Sequence, residues 1–116
     1  MIERAWYNPT WWLDDHGRGL PAVGEPFIRK SRELGIPTIC VHKGLSGGSR
    51  YSSPMDVGPA ARTHRDANFV VYHSGYEQPG ARDDASDPAG GVGRLERSLL
   101  DAGVAPGANV YGELGS

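Results

Sequence analysis

The sequence predicts an α/β fold in which short helices alternate with parallel strands. Two nearly continuous apolar runs, Thr38–His42 and Asn68–His73, have the length and β-rich composition of strands that are covered on both faces. Helix-forming stretches precede both runs, and the chain carries 17 glycines and 9 prolines, the residues that end such elements. Because a helical crossover returns the chain to the same edge of a sheet, neighbouring strands in this arrangement run parallel.

Composition predicts a globular protein with one small domain, residues 1–116. Apolar residues make up 38% and charged residues 22% of the chain, far from the disordered and membrane classes. The formal charge is −2, and the longest basic run is the pair Arg29–Lys30. The sequence therefore gives no basis for a nucleic-acid partner.

The first residues and the single cysteine predict a cytoplasmic location. The N-terminus reads Met-Ile-Glu-Arg and lacks the apolar stretch of a secretion signal or a membrane span. Cys40 is the one cysteine and lies in an apolar run, which is typical of a small buried residue in a reducing compartment. We therefore expect a soluble protein without a membrane partner.

The first helix is predicted over Pro26–Leu34, where apolar and charged positions alternate as on an amphipathic helix. Proline is common at the first position of a helix, and glycine, here Gly35, is common at the left-handed position just after a helix end. The segment Arg4–Tyr7 is predicted as a strand that precedes this helix.

The predicted segments make three rounds of helix and strand, of which the first is the helix Pro26–Leu34 with the strand that follows it. Apolar residues at helical spacing mark the later helices, and Gly103 closes the last of them. In chain order, the predicted segments are the strand Thr38–His42, a loop over Leu45–Ser53, a helix around Val57–His64, the strand Asn68–His73, a loop over Ser74–Gly90, a helix from Val92 to Leu100 and a strand over Ala108–Tyr111.

Three polar side chains come at the carboxyl ends of the predicted strands, where α/β enzymes place their chemistry. His42 and His73 end two strands that are about one αβ unit apart, so they are expected at equivalent heights and could share a ligand. Glu113 follows the last strand and could bind a cation or accept a hydrogen bond, although a glutamate near a chain end is more often solvated.

The two histidines indicate what chemistry this edge of the predicted sheet could perform. A neutral imidazole binds Zn²⁺ and similar ions, or transfers protons near neutral pH. The alternative is that His42 and His73 are hydrogen-bonded loop residues, but two of them at matching strand ends favour a site. Lys43 is expected to point away from His42 and to be structural or to contact substrate.

Two further histidines are expected to have structural roles, and the role of a tryptophan pair is left open by the sequence. His16 lies among Asp14, Asp15 and glycines, which resembles a cation-binding cluster only in composition, and His64 lies at a predicted helix end. The pair Trp11–Trp12 could cover the edge, line an apolar pocket or serve packing.

Several segments of the chain, in their order and spacing, resemble the amidohydrolase superfamily. The similarity is closest to its amidohydrolase-2 branch, the metal-dependent hydrolases and decarboxylases related to aminocarboxymuconate-semialdehyde decarboxylase. The matching segments are His42-Lys43-Gly44, Ser53–Ala61 and Tyr72–Glu77, with further likeness at Trp12–Asp15, Arg32–Ile36 and Glu113–Gly115, so the resemblance extends over most of the chain.

The resemblance implies a partial (β/α)8 TIM-type barrel, in which this chain supplies roughly strands four to seven with their helices. It implies that His42 is the metal ligand after the fifth strand and that His73, after the sixth, binds a second metal or transfers a proton. In such a mechanism a divalent ion, often Zn²⁺, lowers the pKa of a bound water to about 7 and polarises the carbonyl of a small-molecule substrate.

Other ligands of that family have no match in this sequence. The family's His-x-His at the first strand is absent, since the four histidines are His16, His42, His64 and His73, and its late Asp would follow Ser116. We therefore expect a fragment of a larger hydrolase that is inactive alone, binds metal weakly or not at all, and self-associates through exposed sheet edges.

Two alternatives to this function remain open from the sequence, and one alternative to the fold. The chain could be a non-catalytic remnant or assembly piece of the fold, or it could belong to a metal-dependent decarboxylase of the same family. If the chain is a compact monomer, we expect an open flavodoxin-like sheet and not part of a barrel.

Overall fold

The computed structural model describes residues 4–7, 11–16, 22–45, 50–77, 83, 86 and 91–114. Within this part of the chain, no helix is long and apolar enough to cross a membrane. The described strands are β1 (Arg4–Tyr7), β2 (Thr38–His42), β3 (Asn68–Tyr72) and β4 (Val110–Gly112), and the α-helices are α1 (Gly24–Glu33), α2 (Val57–Thr63) and α3 (Gly91–Ala102). Short 3₁₀ turns cover Arg50–Ser52, Pro54–Asp56 and His73–Gly75.

The four strands form one parallel sheet in the order β1-β2-β3-β4. Each strand therefore lies next to the strand that precedes it in the chain. Across the central pair, Ile39 lies opposite Phe69 and His42 lies opposite Tyr72. The prediction of a mixed α/β fold with parallel strands is confirmed, including the strand at Arg4–Tyr7.

Several boundaries differ from the sequence prediction. β3 ends at Tyr72, and His73 begins a 3₁₀ turn because its φ is +58°, which is incompatible with a strand. β4 is displaced towards Gly112, because Asn109 hydrogen-bonds across to the end of α2 before the strand begins. The predicted loops over 45–53 and 74–90 lie partly outside the described residues.

Helix α1 begins at Gly24, two residues before the predicted start at Pro26, because a distant carboxylate caps it. Asp15 accepts hydrogen bonds from the backbone N–H groups of Val23, Gly24 and Glu25, at 3.2, 3.1 and 2.9 Å. These are donors that the first turn of a helix leaves unpaired. Pro26, which has no N–H, lies within the same turn and loses no intrahelical bond.

The hydrophobic core lies between the sheet and the helices. In β2 three successive residues are buried, as expected for a central strand that is covered on both faces, whereas burial alternates along β3. Trp11, Phe27 and Leu99 pack against the core from its border. The core residues are Leu13, Ile28, Ile39, Val41, Val57, Ala60, Ala61, Ala67, Phe69, Val71 and Leu95.

Helices α2 and α3 pack in close contact at one glycine. The backbone N–H of Gly58 donates to Ser98 Oγ at 2.9 Å, and that hydroxyl donates to the Met55 carbonyl, also at 2.9 Å. A Cβ at Gly58 would overlap the carbonyl oxygen of Ser98. Glycine therefore allows the two helix backbones to meet.

The C-terminal end of α2 is fixed by the buried side chain of Asn109. Its Nδ2 lies 3.0–3.1 Å from the carbonyl oxygens of Ala61, His64 and Ala67 and donates to them. Carbonyls at a helix end have no intrahelical partner, so this amide supplies what the helix lacks. The contact ties α2 to the start of β4.

His64 connects α2 with α1 near the amino ends of the strands. Its Nε2 lies 2.9 Å from Glu25 Oε2, and the imidazole is buried. Burial alone would raise the pKa of Glu25, but the hydrogen bonds and charges of His64 and Arg29 hold that pKa below its ordinary value of 4.5. His64 therefore links the two helices.

Candidate functional site

The two strand-end histidines lie together at the carboxyl edge of the sheet. His42 is the last residue of β2, and His73 directly follows β3. Their ring centroids are 5.0 Å apart, and the ring planes make an angle of 62°. Both side chains are half-buried. The two residues that the sequence singled out therefore form one site.

A strained turn brings His73 to His42. The register places Tyr72 opposite His42, so an extended continuation of β3 would point His73 to the other face of the sheet. Instead His73 and Ser74 adopt φ values of +58° and +48°. Residues other than glycine seldom adopt this conformation, and it concentrates at functional sites.

Glu113 holds this turn from the neighbouring strand end. Its Oε2 accepts from the backbone N–H of His73 at 3.4 Å, and its carbonyl accepts from Ser74 Oγ at 3.0 Å. The Glu113 N–H continues the sheet ladder by donating to the Val71 carbonyl at 2.9 Å. Tyr76 closes the turn by donating its N–H to the His73 carbonyl at 2.7 Å. Glu113 therefore belongs to the site through its contact with the His73 backbone.

His42 has the electronic state that a metal ligand needs. Burial, the neighbouring His73 and the Lys43 ammonium together hold the pKa of His42 below its ordinary value of 6.5. At pH 7 the imidazole is therefore neutral, with a nitrogen lone pair that is free to bind a metal. Its Nε2 is buried and has no hydrogen-bond partner among the described residues.

The Lys43 side chain forms a buried ion pair. Its ammonium lies 2.8 Å from Asp56 Oδ1 and donates to the Tyr51 carbonyl at 2.8 Å, and both charged side chains are fully buried. Asp56 Oδ2 in turn accepts from the Leu13 N–H at 2.6 Å and the Asp14 N–H at 3.4 Å. The pair fixes the chain just beyond His42 and thereby stabilises the edge of the sheet.

The loops that follow β2 and β3 are in direct backbone contact. Gly44 donates its N–H to the Ser52 carbonyl, and Leu45 donates to the Tyr76 carbonyl, both at 2.8 Å. Gly44 has a φ of +81°, and a Cβ there would overlap the backbone of Gly75 and Tyr76. This contact leaves little freedom for the segment between His42 and Leu45.

Gly44→Ala is expected to lower the free energy of unfolding by about 2–3 kcal/mol, because it adds left-handed strain and a backbone overlap. The free energy is measured by urea unfolding followed by tryptophan fluorescence. The matched control is Gly107→Ala, since Gly107 has a similar φ of +79° but open space around it. The control is expected to lose about 1–2 kcal/mol. Equal losses at the two positions would contradict the backbone contact.

A pocket opens on the side of His73 that faces β4 and α3. Its volume is about 420 Å³, within the range of roughly 300–1,000 Å³ typical of small-molecule sites. Leu45, Tyr76, Val92 and Leu114 form its apolar walls, and His73, Ser74 and Glu113 form its polar end.

The other residues that the sequence singled out make contacts of their own, and the ring of Trp12 lies 5.6 Å from the ammonium of Lys43, next to His42. His16 is exposed, and its N–H donates to Asp14 Oδ1 at 3.5 Å. Trp11 packs against Phe27 at a centroid distance of 5.1 Å, whereas Trp12 lies 5.5 Å from the Tyr51 ring. Among the described residues, no group of three or more His, Cys, Asp or Glu side chains could hold a metal ion.

Sequence reasoning missed Asp56, which is the partner of Lys43. The residue directly precedes a predicted helix, where an aspartate is expected as a cap for the first turn. Its side chain instead binds residues far away in the chain, and no local pattern encodes such a pairing.

Comparison with known proteins found no relative of this chain. No protein-family model matches the chain, and no curated protein or solved structure is significantly similar to it.

Proposed function

We propose that this chain is part of an amidohydrolase-type, metal-dependent hydrolase that acts on a small carbonyl-containing substrate. The observation that carries the proposal is the buried Nε2 of His42, which lacks a partner among the described residues, in an imidazole 5.0 Å from that of His73. Leaving a buried polar nitrogen unpaired costs about 1–3 kcal/mol, and such groups concentrate where a ligand completes the site.

The strand order supports a segment of a barrel. In a (β/α)8 barrel each strand lies beside the preceding one, and chemistry occurs at the carboxyl edge. The order β1-β2-β3-β4 has this property, whereas an open doubly wound sheet reverses direction at a switch point. We propose that the four strands correspond to roughly strands four to seven of such a barrel.

The two histidines would have different tasks. His42, neutral and held by a rigid strand, would be a ligand of a divalent ion such as Zn²⁺, together with ligands from outside the described residues. When bound, such an ion supplies an activated water and polarises a carbonyl. His73 would hold or move a proton at the same edge, and Glu113 fixes its backbone for that task.

Cobalt binding tests the proposal, because Co²⁺ substitutes for Zn²⁺ and gives a visible absorption spectrum when bound. We expect the full chain to bind Co²⁺ in equilibrium dialysis, even if weakly. His42→Ala is expected to raise the Kd for Co²⁺ at least about tenfold. Removing a residue that only hydrogen-bonds to a metal ligand already weakens metal binding by about that factor.

The control for cobalt binding is His16→Ala, because His16 is an exposed histidine whose backbone contacts Asp14. This variant is expected to bind Co²⁺ as the unsubstituted chain does. Equal binding by the His42 and His16 variants, or no binding by the unsubstituted chain at millimolar Co²⁺, would reject the metal site. The second result would favour the non-catalytic remnant.

A further inference from the structure

The pocket beside His73 combines apolar walls with a single polar end. The side chains of Leu45, Tyr76 and Val92 are 39%, 48% and 40% exposed, although each is large and apolar. Hydrocarbon surface of this kind gains about 25 cal/mol for each Å² that a ligand covers. A ligand that covers these walls would at the same time contact His73.

Backbone strain concentrates at this pocket. Among the described residues, the non-glycine residues with positive φ are Leu45, His73 and Ser74, and all three line the pocket. Each such conformation is energetically unfavourable and persists only where the surroundings impose it. Here the hydrogen bonds to Tyr76 and Glu113 impose it, so the lining is held in place before a ligand arrives.

The charge at the pocket selects against anions. Glu113 is the one carboxylate among the lining residues, and no lysine or arginine lines the pocket among the described residues. A carboxylate or phosphate placed there would be repelled by Glu113 and would meet no lysine or arginine among the described lining residues. A neutral hydrocarbon group meets no such penalty.

We propose that this pocket binds a neutral hydrocarbon group of the substrate, a ring or a branched chain, next to the carbonyl that reacts at His42 and His73. The inference rests on the proposed function for the position of the reacting carbonyl. It deepens that function by naming a substrate class, namely carbonyl compounds whose substituent on the His73 side is apolar and uncharged.

Three probe amides test the proposal by methyl NMR of the full chain. Benzamide carries a neutral ring, acetamide lacks the ring, and 4-carbamoylbenzoate carries the ring with an added carboxylate. Benzamide is expected to shift the methyl signals of Leu45 and Val92 saturably, with a Kd at least about tenfold below that of acetamide. The carboxylate is expected to weaken binding at least about threefold.

Val92→Asp is the pocket variant, because it removes an apolar wall and adds a negative charge. An aspartate in the first turn of α3 is compatible with the helix dipole, so the fold should be retained. It is expected to weaken benzamide binding at least about fivefold. The control is Leu100→Asp on the same helix, since Leu100 is 64% exposed and does not line the pocket.

The outcomes separate the two proposals. Equal shifts from acetamide and benzamide, or benzamide binding that Val92→Asp leaves intact, overturn the hydrocarbon pocket. Cobalt binding that depends on His42, without benzamide binding, leaves the proposed function standing and rejects only the pocket. Saturable benzamide binding in a chain that binds no Co²⁺ confirms a hydrocarbon site and rejects the metal-dependent hydrolase.

Discussion

Asp56→Asn is expected to lower the free energy of unfolding by about 3–5 kcal/mol, the usual cost of removing one partner of a buried ion pair. The Lys43 ammonium would remain fully buried without a counter-charge. The Leu13 and Asp14 N–H groups would at the same time lose a charged acceptor. Urea unfolding followed by circular dichroism measures the loss.

The control for Asp56 is Asp66→Asn, which breaks an exposed ion pair with Arg32. Surface pairs contribute at most about 1 kcal/mol, so little loss is expected. If Asp56→Asn does not fold, the double variant Lys43→Met with Asp56→Asn keeps the test decisive, because it removes the uncompensated charge. The double variant should be more stable than Asp56→Asn alone. A double variant that is less stable would show that the charge is not the cause.

Phe69→Ala is expected to lower the free energy of unfolding by about 3–5 kcal/mol, because it deletes a fully buried ring from a central strand. Phe69 lies opposite Ile39, so the cavity would open beside Ile39, between β3 and the rest of the core. The same urea titration measures the effect.

Leu34→Ala is the control for Phe69, since Leu34 is 63% exposed after α1. A change within about 0.5 kcal/mol is expected there. Phe69→Leu, which preserves most of the buried volume, should lie between the two. A loss below about 1 kcal/mol for Phe69→Ala would mean that the sheet does not pack as described.

The sequence contains most of the information that determines the sheet. The two central strands, Thr38–His42 and Asn68–Tyr72, are rich in apolar residues because they are partly or fully buried. A short apolar run of this kind can be recognised from the local sequence alone. The start of α1 could not be predicted to the residue, because its cap is Asp15, eight residues before Val23. A cap from that distance leaves no signal at the helix itself.

The residues of the candidate site could be predicted from the sequence, but the backbone turn that brings them together could not. Both histidines end strands, and parallel strands bring their ends together, so proximity follows from topology. The left-handed turn at His73 and Ser74 could not be predicted from these residues alone, because contacts with Glu113, forty residues along the chain, hold it. Strand periodicity likewise predicts a separate environment for the Lys43 side chain but does not identify its partner Asp56.

The buried pair of Lys43 and Asp56 restricts how the chain can change over evolutionary time. A single substitution at either position passes through a state with one unpaired buried charge, so drift at one position alone is strongly disfavoured. Two compensating changes, such as a pair of apolar residues, avoid that state. Positions 43 and 56 should therefore co-vary among homologous sequences.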